Sequence, residues 1–254
     1  MIEVWNVTLP ELTGAEPRRA YVYLPEEARD GRRRFPVLYM FDGHNVFFDE
    51  DATYGKSWGL GEYLDGHRVP LIVAAVECNH HPDNGRISEY APYNLTEPGF
   101  GSVIGRGGKT MDWLVKDFKP EIDRRFPTKS GRKHTFIAGS SMGGLMSLYA
   151  LCRYGDVFSR AAALSPALEF GPEQLEELLR GASFRRDTVL YMDMGERELG
   201  WRGTAKRFRR VCELLLEKRV LLTARLVPGG KHCEASWERQ IPFFLPTLLY
   251  GLED

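Results

Sequence analysis

The sequence predicts an α/β fold in which a mainly parallel sheet of about eight strands is flanked by helices. Two observations support this prediction. From residue 109 onward, helical and extended patterns alternate along the chain, which is typical of parallel sheets with right-handed crossovers. Several extended segments, such as residues 36–41 and 69–76, are near-continuous apolar runs, which suit strands covered by helices on both faces.

Short apolar or alternating runs mark the strands of this sheet. We predict strands at residues 2–8, 19–24, 36–41, 69–77, 134–139, 160–165, 188–193 and 220–227. The first two strands are joined by a short link, and we expect them to pair antiparallel at one edge of the sheet.

Apolar residues at helical spacing mark five helices. They are predicted at residues 109–125, 142–154, 172–180, 201–218 and 234–248. In the first helix, Met111, Leu114, Phe118 and Ile122 fall on one face, which we expect to pack on the sheet.

Residues 78–108 interrupt this pattern with a segment rich in Gly, Pro, Asn and His. The segment is too long for a simple connection, and long loops inside compact domains are usually functional or disordered. Tyr90, Tyr93 and Phe100 argue for a folded segment, so we predict a binding loop. Because no other break in composition suggests a linker, we expect residues 1–254 to form a single domain.

Composition excludes several classes of function. The 254-residue chain is 43% hydrophobic with a formal net charge of −1, so charge gives no reason to expect binding to nucleic acid or to an anionic membrane. No apolar run approaches the roughly 18 to 20 residues of a membrane span. The first residues lack the pattern of a signal peptide, and the four cysteines are widely spaced without a CxxC motif. We therefore expect a cytoplasmic protein with reduced thiols.

The most informative motif is the Gly-x-Ser-x-Gly of residues 139–143, which lies between a predicted strand and a predicted helix. In that setting the motif is typical of a nucleophile elbow, a sharp turn that exposes a serine hydroxyl at the end of a strand. The glycines flank Ser141, so Ser141 is the candidate nucleophile. The alternative is a Gly-rich turn with an inert serine.

A serine nucleophile needs an imidazole base, and the base needs a carboxylate that orients it. In elbow-containing hydrolases the chain order is serine, acid, histidine. Of the six histidines, only His232 follows Ser141, and it lies in a Gly-rich turn after the last predicted strand. The acid is expected after the predicted strand that precedes it, where Asp193, Glu196 and Glu198 are candidates. The residues alone leave that choice open.

An oxyanion hole needs two backbone amides, one of them from the residue after the nucleophile. That residue is Met142. The second amide is expected in the turn after residues 36–41, where His44 is favoured and Asn45 is the alternative, because Gly43 allows close approach of the backbone. The His44 side chain could instead bind a metal together with Asp42. No cluster of ligand residues in the sequence supports that alternative, so we predict no metal site.

Three segments of the chain resemble the putative-esterase family of α/β-hydrolases: residues 138–144, residues 39–45 and the Gly195-x-x-Glu198 motif. This family includes esterase D (S-formylglutathione hydrolase), enterochelin esterases, feruloyl and acetylxylan esterases, and the mycolyltransferases. The resemblance covers roughly residues 15–248. It implies Glu198 as the acid, the His44 amide in the oxyanion hole and His232 as the base. One departure is His44 itself, because glutamine is frequent at this position in the family.

The resemblance implies a serine carboxylic-ester hydrolase of α/β-hydrolase fold that forms an acyl-enzyme and needs no metal or organic cofactor. The expected substrates are small or carbohydrate-linked esters of acetyl or feruloyl type. Alternatives are a siderophore-ester hydrolase, a hydrolase of S-formylglutathione-type thioesters and an acyltransferase. A non-catalytic binding protein on the same scaffold is an alternative of another class. The sequence leaves open the acyl and alcohol parts of the substrate and whether the chain forms a homo-oligomer.

Aromatic side chains near the carboxyl edge of the predicted sheet suit a sugar or aryl group, although we favour each of them as a loop anchor. They are Phe47, Phe48, Tyr54, Trp58, Tyr90, Tyr93 and Trp201. Arg86 and Lys109 could meet an anionic substrate or face water.

Overall fold

The computed structural model describes residues 1–97, 101–201 and 203–252. Ten strands are present in them, and all eight predicted strands are confirmed to within a few residues. The strands are β1 (Ile2–Thr8), β2 (Pro17–Tyr23), β3 (Val37–Met40), β4 (Ile72–Val76), β5 (Leu95–Glu97), β6 (Gly101–Val103), β7 (Thr135–Ser140), β8 (Arg160–Leu164), β9 (Val189–Gly195) and β10 (Leu221–Val227).

Eight of these strands form one sheet in the order β1-β2-β4-β3-β7-β8-β9-β10. The six strands from β4 to β10 in this order are parallel to one another. β1 pairs antiparallel with β2, and β2 pairs antiparallel with β4. Both the mainly parallel sheet and the antiparallel pairing of the first two strands are therefore confirmed.

Helices cover both faces of this sheet. They are α1 (Pro10–Thr13), α2 (Leu60–His67), α3 (Gly85–Glu89), α4 (Gly107–Trp113), α5 (Lys119–Arg125), α6 (Met142–Arg153), α7 (Pro172–Gly181), α8 (Thr204–Glu217), α9 (Glu234–Glu238) and α10 (Ile241–Leu249). A π-helical turn over Leu114–Phe118 joins α4 to α5 into the predicted first helix.

Two of the predicted helices differ in detail from those observed. The span 234–248 is divided into α9 and α10, because Pro242 has no amide hydrogen with which to continue one hydrogen-bond ladder. The sequence predicts a helix over residues 201–218, but α8 begins only at Thr204, after Gly203 with φ of 82°. Residue 202 of that span lies outside the described residues.

The core consists of two layers separated by the sheet. Side chains alternate along the buried strands, so that Tyr39 packs with helix residues such as Leu145 on one face, whereas Leu38 packs with Phe244 on the other. Every residue of β3 and β7 is buried. This confirms that such apolar runs are strands covered on both faces. Because β3 and β7 are parallel, their carboxyl ends lie at the same edge of the sheet.

The described part of segment 78–108 is folded: it contains α3 and the antiparallel pair of β5 with β6. A buried ion pair of 2.6 Å joins Glu89 at the end of α3 to Arg18 in β2 and so attaches the segment to the sheet. Residues 98–100 lie outside the described residues. None of the helices in the described chain has both the length and the apolar character that a bilayer crossing requires.

Candidate active site

Ser141 occupies the sharp turn between β7 and α6. Its φ of 57° and ψ of −122° are unusual for a residue with a side chain, and such strain is found mainly where function requires it. Two backbone hydrogen bonds fix the turn: the Ser141 amide donates to Leu164 (3.0 Å), and the Ala167 amide donates to the Ser141 carbonyl (3.0 Å). The strand-turn-helix setting expected for the motif is therefore present.

The two flanking glycines are required sterically. A Cβ on Gly139 would lie 2.8 Å from the carbonyl carbon of Gly143, and a Cβ on Gly143 would lie 3.0 Å from the Cβ of Phe41. Ser141 is partly exposed, whereas the side chain of Ser140 is buried. The turn thus presents the hydroxyl of the central serine to a surface cleft.

His232 lies in the loop between β10 and α9, residues 228–233, which we call the histidine loop. Its Nδ1 is 2.6 Å from Oε2 of Glu198, which belongs to a short 3₁₀ turn after β9, the acid turn (Glu196–Gly200). The carboxylate of Glu198 is 1% exposed and the imidazole is 27% exposed, so the pair has one buried and one accessible end.

The other two candidate acids have different partners. Asp193, at the end of β9, accepts hydrogen bonds from the Ser165 amide (2.9 Å) and from the Tyr191 hydroxyl (2.9 Å). Glu196 is exposed and accepts from the Gly229 amide at 2.7 Å. Of the three acids left open by the sequence, only Glu198 contacts the imidazole in the described part of the chain.

A serine that the sequence did not single out orients the Glu198 carboxylate. The hydroxyl of Ser165, just after β8, donates to Glu198 Oε1 (2.7 Å) and accepts from the indole of Trp237 (3.1 Å). The Gly195 amide donates to the same carboxylate oxygen (2.9 Å). No motif marks Ser165; the available signal was its position after a parallel strand that neighbours the elbow strand.

Asp193 has an unusual environment for a carboxyl group. Burial raises its pKa to about 7, and the nearby Glu198 charge adds to this effect, while the hydrogen bonds from Ser165 and Tyr191 oppose it. Through its hydrogen bond from the Ser165 amide, Asp193 supports the turn that carries Ser165.

The turn that is expected to supply the second oxyanion amide begins where β3 ends. Gly43 packs so closely against β4 that an added Cβ would lie 2.8 Å from the Val76 nitrogen. The Asn45 amide is engaged with the Asp42 carbonyl at 2.8 Å. Among the hydrogen bonds of the described residues, neither the His44 amide nor the Met142 amide has an acceptor. These two amides, rather than that of Asn45, are thus available to an incoming oxygen.

Arg86 forms two hydrogen bonds of 2.7 Å with the carboxylate of Asp42. Its guanidinium is therefore paired within the protein rather than left to water or to an anionic substrate. Burial acts to raise the pKa of Asp42, but the guanidinium outweighs it and the net effect lowers that pKa. Lys109 is 3.5 Å from Glu11 and lies outside this site.

A cleft of about 530 Å³ connects these elements. Ser141, His232, His44 and Arg86 line it, together with several residues of segment 78–108. The seven aromatic residues differ in exposure, and two of them, Phe48 and Tyr93, are half-buried. Phe47, Trp58 and Tyr90 are buried anchors, as favoured from the sequence. In contrast, Tyr54 is 81% exposed in the cleft wall and Trp201 is 49% exposed, with its ring 5.5 Å from that of His232.

The surroundings of the His44 side chain contain a cluster that the sequence did not indicate. The sequence indicated no cluster of metal-ligand residues around it, yet ligand atoms of His44, Cys78 and His80 lie within 4.8 Å of one another. The cluster is invisible in the sequence because β3 and β4 bring distant residues together. Asp42, the partner considered for His44, is held by Arg86 instead.

The amino-acid sequence of this chain is similar to those of several known proteins. The family model described as "Putative esterase" matches residues 13–249. The siderophore triacetylfusarinine C esterase of Aspergillus fumigatus is 25% identical over 147 residues, which are 56% of this chain and 48% of that protein. The Bacillus subtilis protein YbbA is 25% identical over 186 residues, covering 71% of this chain and 69% of YbbA. The match thus spans about half of the fungal relative and about two thirds of the bacterial one.

Solved structures show the same fold. A ferulic acid esterase superposes with a TM-score of 0.71 at 17% identity, covering 98% of this chain and 97% of that one. The enterobactin esterase FES of Shigella flexneri superposes with a TM-score of 0.71 at 17% identity, covering 98% of this chain and 59% of that one. At this level of identity the likeness concerns the fold, and it confirms the α/β-hydrolase architecture.

Proposed function

This chain is an esterase of the putative esterase family, and we propose that it cleaves carboxylic esters through a triad of Ser141, His232 and Glu198. The observation that carries the proposal is the 2.6 Å contact between His232 and the buried Glu198, in the same cleft as the strained serine turn. The loop 78–108 is proposed to form part of the binding cleft of a single domain.

In the proposed first step, the hydroxyl oxygen of Ser141 attacks the ester carbonyl carbon while Nε2 of His232 accepts its proton. A carboxylate next to Nδ1 favours the tautomer that carries hydrogen on Nδ1, which leaves the Nε2 lone pair free to act as the base. The Glu198 carboxylate then stabilises the imidazolium that forms.

The negative charge that develops on the carbonyl oxygen needs donors already in position. The Met142 amide, at the beginning of α6, and the His44 amide are proposed to fill this role. His232 then gives its proton to the leaving alcohol, and the acyl group remains on Ser141. A water molecule repeats the sequence on the acyl-enzyme and releases the acid.

For the substrate we propose a small or carbohydrate-linked ester of acetyl or feruloyl type. The exposed rings of Tyr54 and Trp201 support this proposal, because aromatic side chains stack on sugar and aryl groups. The relationship to the fungal siderophore esterase favours a siderophore ester as the second candidate. A cytoplasmic location remains a prediction from the sequence.

The decisive variant is Ser141→Ala, with Ser140→Ala as the matched control. We expect Ser141→Ala to lower kcat for p-nitrophenyl acetate by ~10³-fold or more, because the nucleophile is removed. Ser140→Ala should stay within a few-fold of wild type, since Ser140 is the last residue of β7 and precedes the strained turn that presents Ser141. Turnover retained by Ser141→Ala, with a melting curve like that of the wild type, would contradict the triad.

A substrate panel tests the second part of the proposal. The kcat/KM values for acetylated and feruloylated sugars, a triacetylated siderophore ester and a formyl thioester are compared, with Ser141→Ala as the blank. The proposal expects the sugar esters to give the highest values. A siderophore ester or a thioester that is preferred over them would replace the proposed substrate class while leaving the triad intact.

A further inference from the structure

We propose that His44, Cys78 and His80 form a binding site for one Zn²⁺ ion in the wall of the cleft, and that an ion bound there inhibits the esterase. Ligand atoms of the three side chains lie within 4.8 Å of one another, so a central ion could reach all three after small rotations of the side chains. Zn²⁺ binds nitrogen and sulfur ligands at about 2.0 to 2.3 Å.

The buried imidazole of His44 has an unused ring nitrogen. Nε2 lies 3.0 Å from the Thr53 hydroxyl, whereas Nδ1 is buried and has no partner among the described residues. His44 is only 3% exposed, and a buried polar atom without a partner is unfavourable. The unpartnered Nδ1 is the atom through which His44 would bind the ion.

Cys78 and His80 supply the other two ligands from the segment that follows β4. Cys78 is 3% exposed, whereas His80 is exposed on the cleft side. The rings of His80 and His44 meet edge to face with centroids 4.7 Å apart. The site therefore has two fixed ligands and one that can swing, which gives an ion a route from the solvent.

The chemical nature of the three ligand side chains determines which metal ion the site prefers. Two imidazoles and one thiolate suit Zn²⁺, whereas Ca²⁺ and Mg²⁺ prefer oxygen ligands. On binding, the Cys78 thiol loses its proton to the solvent and its sulfur forms a bond to the ion, with no change in oxidation state. Asp42, which shares a hydrogen bond with that thiol, keeps its two contacts with Arg86.

Inhibition is the expected consequence, and this part rests on the proposed function. The three ligands and Ser141 share one cleft, and the proposed oxyanion amide belongs to His44 itself. Three protein ligands leave a fourth position on Zn²⁺ for water. An ion with its water would thus fill the space beside that amide and compete with the ester.

The binding test uses the full-length protein with Co²⁺ as a spectroscopic substitute and Zn²⁺ as the competitor. A cobalt-thiolate charge-transfer band that Zn²⁺ abolishes at one equivalent is expected for the wild type. His80→Ala should weaken binding at least about tenfold, since even residues that only support metal ligands are worth about 10- to 100-fold in affinity. Cys78→Ser should lose the band.

Two variants serve as matched controls. His81→Ala removes a neighbouring exposed histidine of the same cleft, and Cys233→Ser removes a thiol beside His232. Both are expected to bind Co²⁺ as the wild type does. A wild type without the band, a His80→Ala variant with unchanged affinity, or a Cys233→Ser variant that loses the band would overturn the site.

A separate measurement tests inhibition. Zn²⁺ should inhibit p-nitrophenyl acetate hydrolysis by the wild type over the concentration range in which it binds, and His80→Ala should require at least about tenfold more, each relative to its own metal-free rate. Binding without inhibition would overturn the inhibitory role alone. Failure of the proposed triad would leave the spectroscopic result unaffected, so the two proposals fail independently.

Discussion

Ser165 shows how one hydroxyl group can connect three parts of the site. The hydroxyl donates to Glu198 and accepts a hydrogen bond from the indole of Trp237. Ser165 also has a φ of 40°, and its backbone amide donates to Asp193. A residue with a side chain adopts this backbone conformation only where its surroundings impose it. We therefore assign Ser165 a positioning role, in which it holds the carboxylate at the angle that meets His232.

Replacement of Ser165 by alanine tests this role. Ser165→Ala removes a hydrogen bond to a charged group, which is worth about 1.5 to 3 kcal/mol, so we expect kcat to fall by roughly 10- to 100-fold with little change in KM. Trp237→Phe is the comparison, because it removes the indole donor to the hydroxyl but keeps an aromatic ring beside His232, and it should lower kcat less. An effect confined to KM would show that Ser165 acts on substrate binding instead.

Asp193 gives a prediction about the pH dependence of stability. Its pKa is raised to about 7 in the folded protein, so between about pH 4 and 7 the folded state binds more protons at this site than the unfolded state does. This group therefore makes the folded protein less stable as the pH rises through that window. Below it the carboxyl is protonated in both states, and above it the carboxyl is charged in both.

Asp193→Asn removes this titratable group, so we expect the free energy of unfolding of the variant to decline less with rising pH than that of the wild type. The free energy of unfolding of the variant, relative to the wild type, should increase with pH by up to about 1.4 kcal/mol per pH unit between pH 4 and 7. Urea denaturation at several pH values measures the difference. Parallel curves for the two proteins would exclude a raised pKa for Asp193.

The individual site residues differ in how well the sequence predicts them. Ser141 and His232 follow from a local motif and from chain order. Glu198 could not be separated from Asp193 by position, because both lie within reach of the same strand end. The contact with His232 separates them, and it joins Glu198 to a loop that lies 34 residues further along the chain.

At the scale of the elements, the turn between β7 and α6 depends on close approach of the backbone. A Cβ at residue 139 would meet the backbone of Gly143, which cannot move aside without displacing α6. The turn therefore joins strand and helix rigidly, and Ser141 inherits its position from both.

Gly139→Ala should lower the free energy of unfolding by about 1 to 3 kcal/mol, which is the usual cost of overpacking a buried site. Gly66→Ala in α2 is the matched control, because a Cβ there has no neighbour within 4 Å. That control should be neutral or stabilising by up to about 1 kcal/mol, since alanine favours helix over glycine. Equal stability of the Gly139→Ala variant and the wild type in urea would contradict the steric explanation.

Strands were easier to predict than helices in this chain, for physical reasons. Strands buried on both faces are apolar throughout, which is a strong local signal. Helix α2 was missed because two of its eight residues are glycines, which favour other conformations. The π-helical turn between α4 and α5 and the short pair of β5 with β6 depend on tertiary packing, and their sequences carry no comparable signal.

At the scale of the whole molecule, one ion pair connects the antiparallel edge of the sheet to the cleft. Arg18 in β2 and Glu89 in α3 are 4% and 3% exposed, and α3 also carries Arg86, the partner of Asp42. Burial raises the pKa of Glu89, although Arg18 counteracts this. Loss of Arg18 would therefore affect the position of the segment as well as the stability of the fold.

Arg18→Met should destabilise the protein by about 3 to 5 kcal/mol, because it leaves a buried carboxylate without its partner. The double variant Arg18→Met/Glu89→Leu should recover most of that loss, since apolar residues often replace a buried ion pair at little cost. Chemical denaturation of the wild type, the single variant and the double variant completes the comparison. A double variant as unstable as the single one would show that the charges themselves are needed.

The acid turn and the histidine loop are joined by two backbone-mediated hydrogen bonds besides the side-chain contact. The Arg197 amide donates to the Gly230 carbonyl at 3.0 Å, and the Gly229 amide donates to Glu196 at 2.7 Å. These bonds attach the acid turn to the histidine loop, so we expect a displacement of one segment to carry the other with it. The proposed triad would then be brought into or out of register mainly by a shift of these two joined segments relative to Ser141.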